Sequence, residues 1–287
     1  MSELTITSID SVNIRIDCDK STAKELSDFF TFKVPGHEYM PSFRNRLWDG
    51  QIKLYNIYKQ TIYKGLYDYV VNFAKDRNYK IIEPEPIIKI GKVKEEHIQK
   101  FIDEHLKPIA GGESINAHEH QIKAVTHAIN NERCLLLSPT GSGKSLIIYA
   151  LIRYYLDIIP SDKKILIIVP TTSLVQQMLS DFSEYSSKTN WKAEDNCHCV
   201  FAGRDKISDK RVIISTWQSI YKLNKEYFDN FKACFGDECH LYKAKSLTTL
   251  MTKLEKCPYK IGTTGTLDDS LTHKLVIEGL FGRVLKV

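Results

Sequence analysis

The chain has 287 residues, 43% of them hydrophobic, with 40 lysines and arginines against 35 aspartates and glutamates. That length makes two domains the reasonable prior and supplies enough apolar residues for ordinary cores. A formal charge of +5 is compatible with a nucleic-acid partner without requiring one. There is no apolar run of transmembrane length and no secretory leader, so a membrane partner is excluded and a cytoplasmic location expected. Seven cysteines, an odd number, suit free thiols in a reducing cytosol.

In chain order, the first predicted strand holds Val12, Ile14 and Ile16, which alternate with polar residues. Ser21 is a candidate cap for a helix running through Phe30. Residues 51–55 and 57–63 read as strands, Gly65 to Asn78 as a helix and Lys80 to Ile82 as a last strand. The prediction is a small α+β domain over residues 1–83.

Between residues 33 and 80, nine basic side chains stand against four acidic ones. Tyr39, Phe43, Trp48, Tyr55, Tyr58 and Tyr63 are interleaved with them. Cations suit phosphates and flat rings suit exposed bases, although small domains also use aromatics as core. Arg44 and Arg46 flank Asn45 close to Gly50. They are expected on a loop and are the candidate nucleic-acid contacts of this domain.

Glu83-Pro84-Glu85-Pro86 opens a linker predicted over 84–114, because the prolines stiffen the chain and break any helix. Lys94 to His105 reads as a short helix, and Gly111-Gly112 precedes the second domain, 115–287. There strands at 133–137, 164–169, 197–201, 211–215, 232–236 and 258–262 alternate with helical segments. That is an α/β pattern, a parallel sheet flanked by helices.

Cys134-Leu135-Leu136-Leu137 is a buried strand followed by Ser138-Pro139-Thr140-Gly141-Ser142-Gly143-Lys144-Ser145. From Lys144 to Tyr155, residues Leu146, Ile147, Ala150, Leu151 and Tyr154 share one helical face. A glycine turn between strand and helix lets backbone N–H groups converge on an anion. The helix N-terminus adds its positive dipole end. Thr140, Gly141, Ser142, Gly143, Lys144 and Ser145 are therefore the candidate phosphate cradle. Lys144 would reach the β- and γ-phosphates and Ser145 would hold Mg²⁺. The plainer alternative is a Gly/Ser turn capping an ordinary helix.

About ninety residues on, Lys232 to Phe235 closes another strand, before Gly236-Asp237-Glu238. Ligands of open parallel sheets bind at the carboxyl ends of strands. Asp237 is thus placed to hold Mg²⁺ from outside its inner ring of ligands, and Glu238 to orient and deprotonate an attacking water. With Lys144 they form the candidate catalytic set. Adjacent acids point apart on a strand, so the chain must turn for both to face one pocket. Cys197-His198-Cys199 invites a zinc reading, but no convincing second pair exists and buried strand thiols explain it better.

These residues, in this order, resemble the superfamily 2 helicases and translocases of the DExH-box kind, over roughly residues 115–287. Gln121 resembles the family's adenine-reading glutamine, and Ser138 to Ser145 its motif I. Val169 to Gln177, with Thr171 and Thr172, resembles motif Ia, and Ile214 to Ser219, with Thr216 and Gln218, the next strand-contacting motif. Asp237-Glu238-Cys239-His240 resembles motif II, with Cys239 where alanine is frequent. Thr264-Gly265-Thr266 resembles motif III, with Gly265 where alanine is usual. The resemblance implies a RecA-like fold, ATP and Mg²⁺ as cofactors, and coupling of hydrolysis to strand movement through His240, Thr264 and Thr266. It also implies DNA-backbone contacts by Thr171, Thr172, Thr216 and Gln218, although Ser and Thr cap helices routinely. Pro41 to Gly50 is similar to the UvsW type of phage recombination and repair helicases. That implies branched or double-stranded DNA as partner, R-loops with their RNA–DNA hybrid included, in a bacterial host's cytoplasm. Such motors need a second RecA-like domain, for which the residues after Thr266 offer no candidate. The chain is therefore expected to be the N-terminal part of a longer protein, poorly active alone. A binding module with a non-catalytic motor half is the alternative.

Overall fold

The computed structural model describes residues 2–139, 141–242, 244–267 and 271–287. It divides into two compact units.

The first unit opens with β1 (Glu3–Ser8) and β2 (Asn13–Asp17), an antiparallel pair. Helix α1 (Lys20–Phe29) follows. Its cap is Asp19, not Ser21. The Asp19 carboxylate accepts the backbone N–H groups of Ser21 and Thr22, at 2.9 and 3.0 Å, which satisfies two unpaired donors of the first turn. Strand β3 (Thr31–Lys33), helix α2 (Pro41–Arg44) and strand β4 (Gln51–Lys53) come next, with β3 and β4 paired antiparallel. Then follow β5 (Thr61–Tyr63), α3 (Tyr67–Asp76) and β6 (Lys80–Ile82). The predicted strands at 51–55 and 57–63 are shorter because the side chain of Asn56 accepts the N–H groups of Tyr58 and Lys59 and folds a turn between them. The sheet order is β5-β2-β1-β6. Leu4, Ile6, Ile14 and Ile16 line its inner face against Leu26, Phe30, Val70 and Phe73, all fully buried.

The second unit begins with α4 (Glu95–Lys100), which runs on as a wider π-helical turn through Leu106. A short hairpin, β7 (Ile109–Ala110) and β8 (Glu113–Ser114), precedes α5 (Glu119–Asn131). Strand–helix alternation then takes over: β9 (Arg133–Leu137), α6 (Lys144–Ile158), β10 (Lys164–Val169) and α7 (Thr172–Tyr185). The one-turn helix α8 (Ala193–Asn196) leads into β11 (Cys197–Val200) and β12 (Val212–Thr216). The turns α9 (Trp217–Ile220) and α10 (Lys225–Phe228) precede β13 (Phe231–Gly236), and α11 (Ala244–Met251) precedes β14 (Tyr259–Thr264). Helix α12 (Leu271–Phe281) and β15 (Val284–Lys286) complete the chain.

Among the described residues, seven strands form one sheet in the order β11-β12-β10-β13-β14-β9-β15, every neighbour parallel. Strands buried on both faces must be apolar throughout; residues 165–169 of β10 are completely buried. Because all strands run one way, the ends of β9, β10, β12, β13 and β14 emerge at one edge. A RecA-like α/β fold results.

Helix α12 does not stay with this sheet in the way chain order suggests. It belongs to the first unit, against the turn at Lys64–Leu66. A Cβ on Gly65 would lie 2.1 Å from the Glu278 carbonyl oxygen, so only glycine allows that approach. Tyr69 donates its hydroxyl to Glu278 Oε2 at 2.6 Å, which satisfies a fully buried carboxylate. A domain boundary drawn from motif order alone, as 115–287, therefore takes in a helix that packs elsewhere.

Candidate functional site

The loop after β9 is held from three sides. Ser138 N–H donates to the Thr264 carbonyl at 2.9 Å, tying the loop to the end of β14. Ser142 Oγ donates to the Pro139 carbonyl at 2.7 Å and therefore accepts from Ser138 Oγ at 2.5 Å. Gly141 and Gly143 both have left-handed φ, +83° and +76°. Thr140 lies outside the described residues.

The first turn of α5 supplies the outer brace. Gln121 is buried, its Oε1 accepts the His118 N–H at 2.9 Å, and its Nε2 donates to the Ser142 carbonyl at 3.0 Å. His120 Nε2 reaches the same carbonyl at 3.0 Å. A Cβ at Gly143 would sit 2.1 Å from Gln121 Nε2, so this glycine serves both the turn and the brace.

Lys144 Nζ is 3.4 Å from the carbonyls of Ser138 and Pro139 and 3.2 Å from Glu238 Oε1. The ammonium and its carboxylate are only 12% and 20% exposed. Ser145, half-buried, has its hydroxyl beside Asp181 of α7. Partial burial pushes the Asp181 carboxyl up and the hydroxyl draws it partly back.

Asp237 continues β13 by one bond, its N–H donating to the Ile168 carbonyl at 2.9 Å. Glu238 then takes a left-handed conformation, φ +48°, a costly state for a non-glycine residue, about 1–3 kcal/mol. That turn separates the two acids. Asp237 Oδ1 accepts the Thr263 hydroxyl at 2.6 Å, while Glu238 faces Lys144. Burial raises the Asp237 carboxyl above its ordinary range and the Thr263 hydroxyl opposes this; Glu238 raises it further.

The expected coupling residues also meet here. Thr264 Oγ1 donates to the Thr266 carbonyl at 2.6 Å, so at 2.7 Å His240 Nδ1 is the donor to that hydroxyl. Glu238 Oε2 accepts the Gly265 N–H at 3.3 Å and lies 3.4 Å from His240 Nδ1. Lys144, Glu238, His240, Thr264 and Gly265 thus form one connected polar network.

Three members escape a reading by motif. Thr263 donates its hydroxyl to the Asp237 carboxylate. Tyr242, fully buried, places its hydroxyl 2.6 Å from the carbonyls of Asp237 and Ile168. His120 shares the Ser142 carbonyl with Gln121. The β13–β14 pairing that brings Thr263 to Asp237 is invisible in a single sequence.

The expected strand-contact residues divide by exposure. Thr171 and Thr172 are exposed at the start of α7, where Thr171 Oγ1 caps the helix by accepting the Leu174 N–H at 3.3 Å. Gln218 is exposed and donates to the Pro170 carbonyl at 3.2 Å. Thr216 is only 5% exposed and pairs with Ser219 Oγ at 2.8 Å. In the first unit Arg44 and Arg46 are exposed, Arg44 as the last residue of α2 rather than on a loop. Cys197, His198 and Cys199 lie in β11, and all seven cysteines are free thiols.

Two family models match the chain. One, "Type III restriction enzyme, res subunit", covers residues 114–269, and the other, "DNA helicase UvsW, N-terminal", covers residues 3–83. The ATP-dependent DNA helicase uvsW of Enterobacteria phage T4 is 36% identical over 285 residues, which is 96% of this chain and 54% of that protein. The DNA 3'-5' translocase XPB2 of Sulfurisphaera tokodaii is 26% identical over 170 residues, 57% of this chain and 34% of that protein. A crystal structure of the UvsW helicase from bacteriophage T4 aligns with a TM-score of 0.89 at 33% identity, covering 99% of this chain and all of that one. The chain spans about half the length, or less, of the curated relatives it matches. On its phosphate loop, its paired acids and both family models, the chain belongs to the superfamily 2 helicases, in the UvsW family.

Proposed function

We propose that the chain carries the nucleotide-binding half of an ATP-dependent DNA helicase or translocase that remodels branched DNA. Junctions, forks and R-loops with their RNA–DNA hybrids are the substrate class, in a bacterial host's cytoplasm. The observation that carries the reading is the meeting of Lys144 and Glu238, 3.2 Å apart, at the sheet edge where Asp237 also emerges. A triphosphate in the loop would take Lys144 on its β- and γ-oxygens and the backbone N–H groups of residues 140–145 around them. Gln121 would meet the base.

A divalent cation fits the donor set. Asp237 is a buried carboxylate whose charged form is penalised by burial and by the neighbouring Glu238, and a metal would reverse that penalty. Ser145 and Asp237 would hold Mg²⁺, which would neutralise developing phosphate charge. Glu238 would orient the attacking water and accept its proton. His240 and Thr264 connect Glu238 to the segment expected to answer DNA movement. Thr171, Thr172 and Gln218 are candidate backbone contacts, and Thr216 would hold that edge from inside.

Full turnover would require a second RecA-like domain to close over the nucleotide and supply an arginine, a contribution of about 10³–10⁵ in rate. The test is fluorescent-ATP binding with Mg²⁺, together with ATPase assays on single-stranded, duplex, forked and RNA–DNA hybrid substrates. Mg²⁺-dependent binding that disappears in Lys144→Ala supports the proposal. Branch remodelling that survives Lys144→Ala in a protein containing both motor domains would leave only a binding module.

A further inference from the structure

The segment that connects β3 to β4 forms an open groove of about 800 Å³, lined by Phe43, Arg44, Arg46, Leu47 and Trp48, with Glu38 and Asp49 completing it. Its shape is fixed locally. Pro41 starts α2 at a position where its missing N–H costs nothing. The helix ends with Arg46 N–H donating to the Phe43 carbonyl at 2.9 Å and Leu47 N–H to the Ser42 carbonyl at 2.8 Å. This is the paired closure that normally has glycine in the left-handed position. Here Arg46 occupies it, at φ +56°, a cost of about 1–2 kcal/mol.

Arg46 and Arg44 both line the groove. Neither has an ion-pair or side-chain hydrogen-bond partner among the described residues, whereas Asp49 is held by Lys53 at 2.6 Å. Glu38 lies 3.1 Å from His37 Nδ1. The apolar members are ordered too. Trp48 Nε1 donates to the Gln51 carbonyl at 2.8 Å, Phe43 stands edge-on to His37 at 4.7 Å, and Leu47 is 81% exposed. A Cβ at Gly50 would sit 2.3 Å from the His37 ring, so only glycine allows that close approach.

Two unpaired arginines next to a pinned indole and a projecting leucine match a nucleotide whose base is out of the stack. A continuous duplex offers the arginines its phosphates but hides its base faces. An unpaired base offers both. We infer that this groove seats the first unpaired nucleotide beside a branch point in DNA, with Arg44 and Arg46 on flanking phosphates and Trp48 and Leu47 against the base. The inference rests on the proposed role in branched-DNA remodelling and adds the feature by which a branch is told from plain duplex.

The experiment is anisotropy titration of the 287-residue chain with a fork and a duplex of equal phosphate count, the fork carrying 2-aminopurine at its first unpaired position. Leu47→Ala and Trp48→Ala are expected to weaken fork binding about 5- to 150-fold, to leave duplex binding within twofold, and to abolish the fluorescence change. Trp48→Phe, which keeps a flat ring, should retain most of the fork preference. Arg44→Ala with Arg46→Ala should weaken both substrates and flatten the salt dependence. Equal losses on fork and duplex from Leu47→Ala would overturn the base seat while sparing the phosphate grip. No loss on either substrate from the double arginine variant would remove this unit from DNA and make the groove a protein-docking surface. Neither result touches ATP binding at Lys144, so the two proposals fail separately.

Discussion

Lys144 Nζ lies 3.2 Å from Glu238 Oε1, so the cation proposed for phosphate is occupied by the acid proposed for the attacking water. On those proposed roles, nucleotide would have to take the lysine away from Glu238 before either could act. Glu238→Gln removes that competitor. The variant is expected to bind Mg²⁺-ATP at least as tightly as the wild type while its hydrolysis falls by about 10²–10⁴. Fluorescent-nucleotide titration beside a phosphate-release assay reads both. Weaker binding by the variant would mean that Glu238 helps to hold nucleotide instead of competing with it.

Asp237 makes a prediction about pH. Burial lifts its carboxyl above the unfolded value, so the fold favours the protonated form. The associated stability is complete below the unfolded value and is lost as pH rises through the raised one. Asp237→Asn does not ionise and escapes that loss. Its Tm should exceed the wild type's by an amount that grows with pH and then levels off, at ~2–4 °C for each kcal/mol recovered. Added Mg²⁺ with nucleotide should raise the wild-type Tm and leave the variant unmoved. A Tm difference constant across pH would rule the explanation out.

Tyr242 fixes the backbone at the acid pair from below. Tyr242→Phe leaves a buried carbonyl without its donor, a cost of about 1–3 kcal/mol. Nucleotide affinity should drop with stability, because the Asp237 carbonyl is one of the two that lose the hydroxyl. Denaturant melting and nucleotide titration on one preparation would decide; an unchanged melt would show that water replaces the hydroxyl.

Gly143→Ala tests the brace. Left-handed φ costs a side chain about 1–2 kcal/mol, and the new Cβ would displace Gln121 Nε2 from the loop. ATP binding should weaken by about tenfold or more, whereas Gly141→Ala, with open space around its Cβ, should pay only the backbone term. Equal effects at both glycines would remove Gln121 from loop support.

Arg46→Gly separates stability from recognition. It relieves the left-handed strain and should raise the Tm slightly, while DNA binding weakens. A variant that is both more stable and equally competent would leave Arg46 without a role in recognition.

Most of the parallel sheet was legible in the sequence, because strands buried on both faces leave unbroken apolar runs such as Ile165 to Val169. The loop and the acid pair could be singled out for a different reason: the proposed phosphate and metal chemistry restricts which residues can serve, so Gly141, Gly143, Lys144 and Asp237 stand out singly. Thr263 and Tyr242 were not, since a threonine or tyrosine gains its meaning from a neighbour supplied by strand pairing. The Asp19 cap was missed in favour of Ser21 because both residues cap helices and only geometry decides between them. The left-handed Arg46 was hidden because sequence rules assign that position to glycine.

Tyr69 and Glu278 join positions 209 residues apart to complete the first unit. A ribosome making this chain N-terminus first delivers the four-stranded sheet long before the helix that covers Gly65. The early segment must therefore wait, incompletely covered, until nearly all of the second unit has emerged, an interval of roughly 10–40 s at about 5–20 residues per second. For the same reason, a fragment cut after residue 87 would lack its own lid, and its poor behaviour would say nothing about its ability to grip DNA.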